Sequence, residues 1–245
     1  MSERVAIVVG AGGELGRVTA EKLATAGFTV TGVDRSEEGL KELPDGIRRE
    51  TADPTDPVAA RSVVDRIAAE VGPPNVLVNT IGMYHLGEAL TATPEDLRLM
   101  IDVNVGAALW LTQAVVPYLR ERGSGSIVHV AARPGLEPTA GMATYAVSKA
   151  ALVHLTRVLD LELRPLGIRV NAVAPQLLDT AKNRPYLTPE LLAHAVAPGT
   201  ARCSSLGTGS SGRRGIATRR CGYCARPSRP AWTTSTPRST TGPAR

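Results

Sequence analysis

Short apolar runs, many of them β-branched, alternate with longer amphipathic segments along most of the chain. The run Val5–Val9 contains no polar residue, which is typical of a parallel strand buried on both faces. The pattern predicts strands at 5–9, 28–33, 46–51, 75–78, 126–130 and 168–173, and main helices at 17–26, 58–71, 94–122 and 145–164. This regular alternation predicts a single α/β domain with a doubly wound parallel sheet, whose ligand crevice lies at the carboxyl ends of the strands.

The first predicted strand leads directly into a glycine-rich turn, Gly10-Ala-Gly-Gly-Glu-Leu-Gly16, and the turn leads into a helix. Backbone N–H groups and the positive end of such a helix bind phosphate, and the missing side chains let the ligand approach closely. Glycine-rich turns also occur without a ligand. The strand before this turn and the helix after it favour a pyrophosphate cradle.

Acidic residues follow the second and third predicted strands. Asp34 comes 24 residues after Gly10, where a carboxylate can accept hydrogen bonds from an adenosine ribose and repel a 2′-phosphate. Arg35 could instead attract that phosphate, so Asp34 favours NAD while NADP stays open. Asp53 could hydrogen-bond an adenine or cap the following helix, and the local sequence favours neither interpretation.

Tyr145 and Lys149 stand four residues apart in a predicted helix, so their side chains lie on one face of it. A phenol is a poor acid or base near neutral pH, and an adjacent ammonium lowers its pKa by favouring the phenolate. An exposed lysine beside a half-buried tyrosine would have the same spacing without any chemistry. Asn104 is mildly unfavourable in the middle of the 94–122 helix, which indicates a function there.

These candidate residues converge on one edge of the predicted sheet. The carboxyl ends of the strands are followed by the glycine turn, Asp34, Asp53, Asn79, Ala132 and Pro175. Because these strand ends meet at the same edge, we expect their residues to line one crevice.

In this order, the motifs resemble those of the short-chain dehydrogenase/reductase family, single-domain Rossmann enzymes that use NAD or NADP. The resemblance covers residues 4 to about 182. It rests on the glycine turn, Asp53, Asn79-x-x-Gly82, Asn104, Tyr145-x-x-x-Lys149 and Arg169-Val-Asn-Ala-Val-Ala-Pro175. It implies an oxidoreductase that transfers a hydride between a nicotinamide and a carbonyl or alcohol substrate.

The resemblance also implies a role for each site residue. Tyr145 is expected to be the general acid/base, Lys149 to hold the nicotinamide ribose and lower the pKa of the phenol, and Asn104 to position a water molecule. Thr180 is expected to meet the nicotinamide carboxamide. The implied cofactor site comprises Gly10, Gly12, Gly13, Leu15, Gly16, Asp34, Arg35, Asp53, Pro54, Asn79, Gly82, Tyr145, Lys149, Pro175, Leu178 and Thr180.

The chain departs from the family pattern at three positions. Glu14 replaces the middle glycine of the cradle, and we expect its carboxylate to turn to solvent, away from a pyrophosphate. Gln176 follows Pro175, where the family usually has glycine. Ala132, 13 residues before Tyr145, takes the place of the catalytic serine. The loss of one such hydroxyl donor typically lowers the rate by about 10²–10³.

Two alternatives follow from Ala132. Quinonoid dihydropteridine reductases, which this chain also resembles, lack the same serine and have a residue other than glycine at the position of Glu14. Their substrate takes the proton into its own polarised system. The other alternative is a non-catalytic nucleotide-binding scaffold. Hydride transfer remains the favoured interpretation, because it needs mainly an oriented nicotinamide and a proton source.

The composition changes near Pro198 and divides the chain into a domain, 1–198, and a tail, 199–245. Of the 28 Lys and Arg residues, the tail holds nine, all Arg, and it holds no acidic residue; residues 1–198 therefore carry 19 basic and 23 acidic residues, a formal charge of −4. The tail has two branched aliphatic residues, Leu206 and Ile216, and cannot bury an apolar face, which predicts disorder. We therefore expect the seventh strand of the family to be missing.

The tail has three interpretations. Its arginines could bind nucleic acid or another acidic surface. Cys203, Cys221 and Cys224 could bind zinc if His194 supplied a fourth ligand. An out-of-frame reading of a GC-rich gene would give the same composition, and we favour it because the change begins where the family pattern stops. Accordingly, we expect no metal site and no nucleic-acid partner.

The remaining expectations concern location and partners. The first apolar run is too short for a signal peptide, and no stretch approaches the roughly 18 apolar residues of a membrane span, so we expect a cytoplasmic protein without a membrane partner. The expected partners are a small-molecule carbonyl or alcohol and a second copy of the chain. The resemblance implies that the two long helices, 94–122 and 145–164, form subunit contacts in a dimer.

Overall fold

The structure, a computed structural model, describes residues 4–181, 183, 184 and the backbone of 204–206. The strands are β1 (Val5–Val9), β2 (Thr29–Asp34), β3 (Arg48–Thr51), β4 (Pro74–Asn79), β5 (Gly125–Val130), β6 (Ile168–Ala174) and β7 (Ser204–Leu206). The helices are α1 (Glu14–Thr25), α2 (Glu37–Lys41), α3 (Pro57–Glu70), α4 (Pro94–Ile101), α5 (Ala107–Arg122) and α6 (Ala143–Leu163). The three cysteines, His194 and the rest of the 199–245 tail lie outside the described residues, and so do the interpretations that depend on them.

The strands form one sheet in the order β3-β2-β1-β4-β5-β6-β7. β1 to β6 are mutually parallel, which confirms the predicted doubly wound α/β architecture. β1 pairs with β2 on one side and with β4 on the other, so the order of strands reverses between β1 and β4. A crevice forms at the carboxyl ends of the strands at such a point of reversal.

Strand β1 is buried on both faces because helices cover both sides of the sheet. Val5, Ile7 and Val9 pack into a core that also contains residues of α3 and α5. Ala6 and Val8 face the opposite way, into a second core with Ala20 of α1 and Leu40 of α2. Successive side chains of a strand point to opposite faces, so an apolar run without alternation is what this position requires.

The predicted 94–122 helix is continuous in space but changes its winding in the middle. A π-turn, Asp102–Gly106, separates α4 from α5, and Asn104 lies at its centre with 1% of its surface exposed. Single π-turns inside α-helices are frequent at functional sites. The mid-helix asparagine therefore marks a local break in regular helix geometry that faces the protein interior.

The same helix is the one candidate for a membrane span among the described residues. Within the described residues, Pro94–Arg122 is long and apolar enough for one, with a mean hydropathy of 1.5 in its most apolar window. Leu111, Val115 and Leu119 of this helix are fully buried against the sheet. The core helix of a soluble protein has the same length and composition, so this feature is weak support for a membrane location.

Strand β7 is a short antiparallel addition to the six parallel strands. The backbone of Ser204–Leu206 pairs antiparallel with Ala172–Ala174 of β6. An edge strand offers unpaired N–H and C=O groups to any extended segment, whatever the side chains of that segment are. A tail with few apolar residues can therefore add a short strand, and six parallel strands remain the body of the sheet.

Candidate functional site

The glycine turn after β1 is shaped by close backbone contacts. Gly10 has a φ of +83°, a left-handed conformation that favours glycine, and its N–H donates to the carbonyl of Val33 at 2.8 Å. A Cβ on Gly16 would lie 2.1 Å from the carbonyl oxygen of Gly10, so only glycine lets α1 start this close to the turn. The turn thus presents bare backbone at the N-terminal end of α1.

The end of β4 is tied to this turn by side-chain bonds. The Thr80 hydroxyl donates to the carbonyl of Val9 at 2.8 Å and lies 3.2 Å from that of Gly10. Asn79 is buried, and its Oδ1 accepts the N–H of Ile81 at 3.0 Å. These bonds place the predicted segment Asn79-x-x-Gly82 directly beside the glycine turn.

Asp34 is held rigidly at the end of β2. Its two carboxylate oxygens accept the N–H groups of Gly12, at 3.0 Å, and of Ser36, at 2.9 Å. The carboxylate is therefore held in a fixed position beside the glycine turn. A residue that hydrogen-bonds an adenosine ribose would need such a fixed position.

Asp53 does not cap the helix that follows it. Asp56 does so, because its Oδ1 accepts the N–H of Val58 at 2.8 Å. The Asp53 carboxylate instead accepts the hydroxyl of Thr55, at 2.7 Å, and its N–H, at 2.9 Å. These two bonds, with a contribution from the positive charge of Arg35, hold the pKa of Asp53 below its usual range. The helix-cap interpretation of Asp53 is therefore wrong, and its role toward an adenine stays a prediction.

A cleft of about 390 Å³ opens at this edge of the sheet. It is lined by Gly10, Gly13, Asp34, Arg35, Asp53, Pro54, Thr55, Thr80, Ile81, Gly82, Met83, Leu99 and Val103. Seven of these thirteen were predicted as cofactor-binding residues, which places the predicted adenosine side in one cavity. Leu99 and Val103, which come from α4 and the π-turn, belong to no motif and were not predicted as cofactor-binding residues.

Asn104 joins the π-turn to the segment after β4. Its amide nitrogen donates to the carbonyl of Met83 at 2.9 Å, and its Oδ1 accepts the N–H of the same residue at 3.0 Å. The amide nitrogen also donates to the Ser148 hydroxyl at 2.9 Å, and that hydroxyl donates to the carbonyl of Tyr145 at 2.8 Å. Ser148 is fully buried and was missed, although its place in the Tyr145 helix could have indicated it. The expected water molecule at Asn104 stays a prediction.

Lys149 reaches the same point from α6. Its Nζ donates to the carbonyl of Val130, the last residue of β5, at 2.9 Å. A Cβ on Gly82 would lie 2.9 Å from this Nζ and 3.2 Å from Asn104 Oδ1. The missing side chain of Gly82 therefore leaves room for both of these groups. Burial of the Lys149 ammonium lowers its pKa to about 7.

Tyr145 lies on the same helix face, one turn before Lys149. Its ring meets the ring of Tyr84 edge to face, with centroids 6.5 Å apart and planes at 74°. Burial raises the pKa of the Tyr145 phenol to about 12, which is opposite to the lowering expected from a neighbouring ammonium. Loss of hydration disfavours the phenolate, and the Lys149 ammonium, itself desolvated, is bound to Val130.

Ala132 is the residue expected to stand in place of the catalytic serine. It lies two residues after β5, 7% exposed, with φ −158° and ψ 158°. Its carbonyl accepts the N–H of Gly135, and the N–H of Arg133 donates to the carbonyl of Pro175, each at 3.0 Å. The backbone around Ala132 is therefore held by hydrogen bonds, one of which reaches the segment after β6.

The loop after β6 carries the last predicted residues. Leu178 accepts the side-chain amide of Asn183 on its carbonyl, at 2.9 Å, and the Thr180 hydroxyl accepts the N–H of Asn183 at 3.2 Å. Glu14 does not turn to solvent as expected: its Oε1 accepts the N–H of Ala181 at 2.6 Å. This hydrogen bond joins the first residue of α1 to the loop after β6.

Comparisons with known proteins give one consistent result. A family profile described as short chain dehydrogenase matches residues 4–190. An uncharacterized oxidoreductase of Staphylococcus epidermidis is 32% identical over 184 residues, which are 74% of this chain and 80% of the relative. The 3-oxoacyl-acyl-carrier-protein reductase of Escherichia coli is 31% identical over 185 residues, 74% of this chain and 76% of that enzyme.

Solved structures agree with these sequence relatives. A short-chain dehydrogenase from Streptomyces avermitilis superposes with a TM-score of 0.69 at 36% identity, covering 74% of this chain and 68% of the other. An NAD⁺-bound xylitol dehydrogenase gives a TM-score of 0.71 at 28% identity, covering 73% and 72%. With the fold, the glycine turn and the Tyr145–Lys149 helix in place, this chain belongs to the short-chain dehydrogenase/reductase family of oxidoreductases.

Proposed function

We propose that this protein uses a nicotinamide dinucleotide to interconvert a carbonyl and the corresponding alcohol, with Tyr145 as the general acid/base. The observation that carries the proposal is that Gly82, which lines the cleft, has both the Lys149 side-chain nitrogen and the Asn104 side-chain oxygen close to it. Lys149 belongs to the same helix as Tyr145, and Gly82 lines the same cleft as Gly10 and Gly13 of the glycine turn. Family membership supports the reaction class.

The residues at this edge fit a dinucleotide. The cradle leaves no room for a Cβ at Gly16, and the cleft beside it holds the fixed Asp34 carboxylate. The likeness to an NAD⁺-bound xylitol dehydrogenase supports the same cofactor class. When bound, the dinucleotide would supply or accept the hydride.

The chain's own residues would handle the proton. Tyr145, with a pKa of about 12, is neutral near pH 7 and holds the proton that a carbonyl oxygen needs on reduction. Asn104 is held in place by its hydrogen bonds to Met83 and to Ser148. The pKa of Lys149 is about 7, so its amine can take up a proton near neutral pH when a hydrogen-bond acceptor binds beside it.

The dinucleotide preference is predicted to rest on Asp34. Its carboxylate, fixed by the N–H groups of Gly12 and Ser36, should accept from ribose hydroxyls and repel a 2′-phosphate. Wild-type protein is expected to bind NADH more tightly than NADPH in fluorescence titrations. Asp34→Asn, which removes the charge and keeps the shape, should reduce that preference by about ten-fold. Tighter binding of NADPH by the wild type would contradict this assignment, and Arg35 would then be the determinant.

Ala132 favours a second candidate, an activity like that of dihydropteridine reductases. A methyl group cannot donate to a substrate oxygen, whereas a quinonoid pterin accepts the proton into its own ring system. A non-catalytic nucleotide-binding scaffold is the third possibility that Ala132 leaves.

One turnover experiment separates these candidates. Purified protein is assayed for NADH and NADPH oxidation with a panel of ketones and with quinonoid pterins. Turnover of a ketone supports the main proposal, and turnover of pterins alone supports the second. Dinucleotide binding without turnover of any compound would support the scaffold.

We also propose that the protein is a homodimer that contacts its partner through α4, α5 and α6. Large apolar side chains are exposed on two of these helices, namely Leu97 on α4 and Val147 and Leu161 on α6. We also propose a cytoplasmic location.

A further inference from the structure

Tyr84 is the aromatic neighbour of the proposed acid/base. Its ring meets the Tyr145 ring edge to face, with centroids 6.5 Å apart and planes at 74°. The Tyr84 side chain is partly buried and, among the described residues, belongs to neither of the two cores that cover the sheet. A carbonyl oxygen that takes a proton from Tyr145 comes within about 3 Å of the phenol oxygen. The group attached to that carbonyl would therefore lie beside the Tyr84 ring.

The backbone is held in place on both sides of Tyr84. Before it, Met83 donates its N–H to Asn104 Oδ1 at 3.0 Å and accepts the Asn104 amide on its carbonyl at 2.9 Å. Asn104 is 1% exposed, so this pair of bonds is shielded from water. After it, Gly87 donates its N–H to the carbonyl of Gly141, shortly before α6, at 2.9 Å. The segment that carries the Tyr84 ring is thus in place before a substrate binds, which lowers the entropic cost of binding.

Two basic side chains in the segment after β4 and in the loop before α6 lie next to carboxylates. The His85 imidazole lies 3.6 Å from the Asp96 carboxylate, and Arg133 donates to Glu137 at 2.9 Å. Leu86, which follows His85, is 47% exposed. An anionic substrate would have to compete with these carboxylates for the basic groups, so this surface favours an uncharged one.

We propose that Tyr84 is a specificity-determining residue that selects an uncharged carbonyl compound with a flat, unsaturated ring next to the carbonyl carbon. The inference rests on the proposed function and names its substrate class. The edge or face of an aromatic ring attracts a second flat ring beyond the effect of apolar burial, whereas a saturated ring of the same size gains burial alone. Tyr84 thus acts on substrate binding, and Tyr145 supplies the proton.

Acetophenone and cyclohexyl methyl ketone form a matched pair of substrates, because they share the reacting group and the ring size but only one ring is flat. The ratio of their kcat/KM values is measured for the wild type and for Tyr84→Leu, which keeps an apolar side chain and removes the ring. Tyr84→Leu is expected to lower the ratio in favour of acetophenone by about five-fold, mainly through a higher KM for acetophenone. Comparing the ratio between variants cancels the different intrinsic reactivity of the two carbonyls.

Tyr84→Phe is the matched control, since it keeps the ring and removes only the hydroxyl. Its ratio is expected to stay within about two-fold of that of the wild type. A second measurement needs no variant: the product alcohols, 1-phenylethanol and 1-cyclohexylethanol, are compared as inhibitors of the wild type. The inhibition constant of 1-phenylethanol should be about five-fold lower.

Two results would overturn the inference and leave the proposed function standing. One is a ratio that Tyr84→Leu leaves unchanged, even if turnover of both ketones falls, because Tyr84 would then only support the Tyr145 ring. The other is equal inhibition of the wild type by the two alcohols. A wild type that binds NADH but turns over no carbonyl compound would overturn the proposed function and the inference together.

Discussion

Tyr145→Phe is expected to lower turnover by about 10²–10⁴-fold while NADH affinity stays within a few-fold. In the proposed function the phenol, neutral with its pKa of about 12, would be the proton source for the substrate oxygen, and phenylalanine offers none. The phenylalanine ring keeps the edge-to-face contact with Tyr84, so the wall of the site should keep its shape. Steady-state kinetics on the preferred substrate and a fluorescence titration with NADH measure the two quantities separately.

Tyr118→Phe provides a matched control for the loss of a phenol. The Tyr118 hydroxyl donates to Asp65 of α3 at 2.7 Å, and neither residue lines the cleft. Its loss should therefore lower stability by about 1 kcal/mol and leave turnover unchanged. Lys149→Ala, by comparison, should reduce both turnover and NADH affinity, because the proposed function gives Lys149 a role at the nicotinamide ribose as well as beside the phenol. Retention of most activity by Tyr145→Phe would rule out its role as the acid/base.

Ala132→Ser is expected to raise turnover of carbonyl substrates by about 10²–10³-fold. The substitution restores a hydroxyl donor at a position whose backbone is already extended and hydrogen-bonded to Gly135. An extended backbone accepts serine without strain, so the gain should not be offset by misfolding. The value of kcat/KM for the ketones of the panel measures the effect.

Ala131→Ser serves as the control for the expected gain in turnover. Ala131 is the adjacent residue, is buried against Val153 and Ala172, and points to the other side of the extended segment. A serine there should give no increase in turnover. If Ala132→Ser accelerates turnover of no ketone and leaves pterin turnover unchanged, the substrate does not depend on a hydroxyl at this position. That outcome would favour the activity like that of dihydropteridine reductases.

Individual residues show where prediction from sequence reached its limit. Asn104 was singled out because asparagine is unfavourable in mid-helix, yet its partners, Met83 and Ser148, come from two other parts of the chain. Asp53 and Asp56 are both reasonable caps by residue type, and only the backbone path assigns the cap to Asp56. The helix α2 spans five residues, too few to show a helical period.

The sequence by itself determined the order of strands and helices, the parallel sheet and the place of the glycine turn. These follow from local rules: apolar runs form strands buried on both faces, glycine permits the tight turn, and parallel strands end at one edge. Tertiary structure alone decided the Glu14–Ala181 contact, the strand β7 and the direction of the Tyr145 pKa shift. Each of these depends on which groups are neighbours in space. Desolvation, or a hydrogen bond between residues 167 positions apart, cannot be predicted from the local sequence pattern.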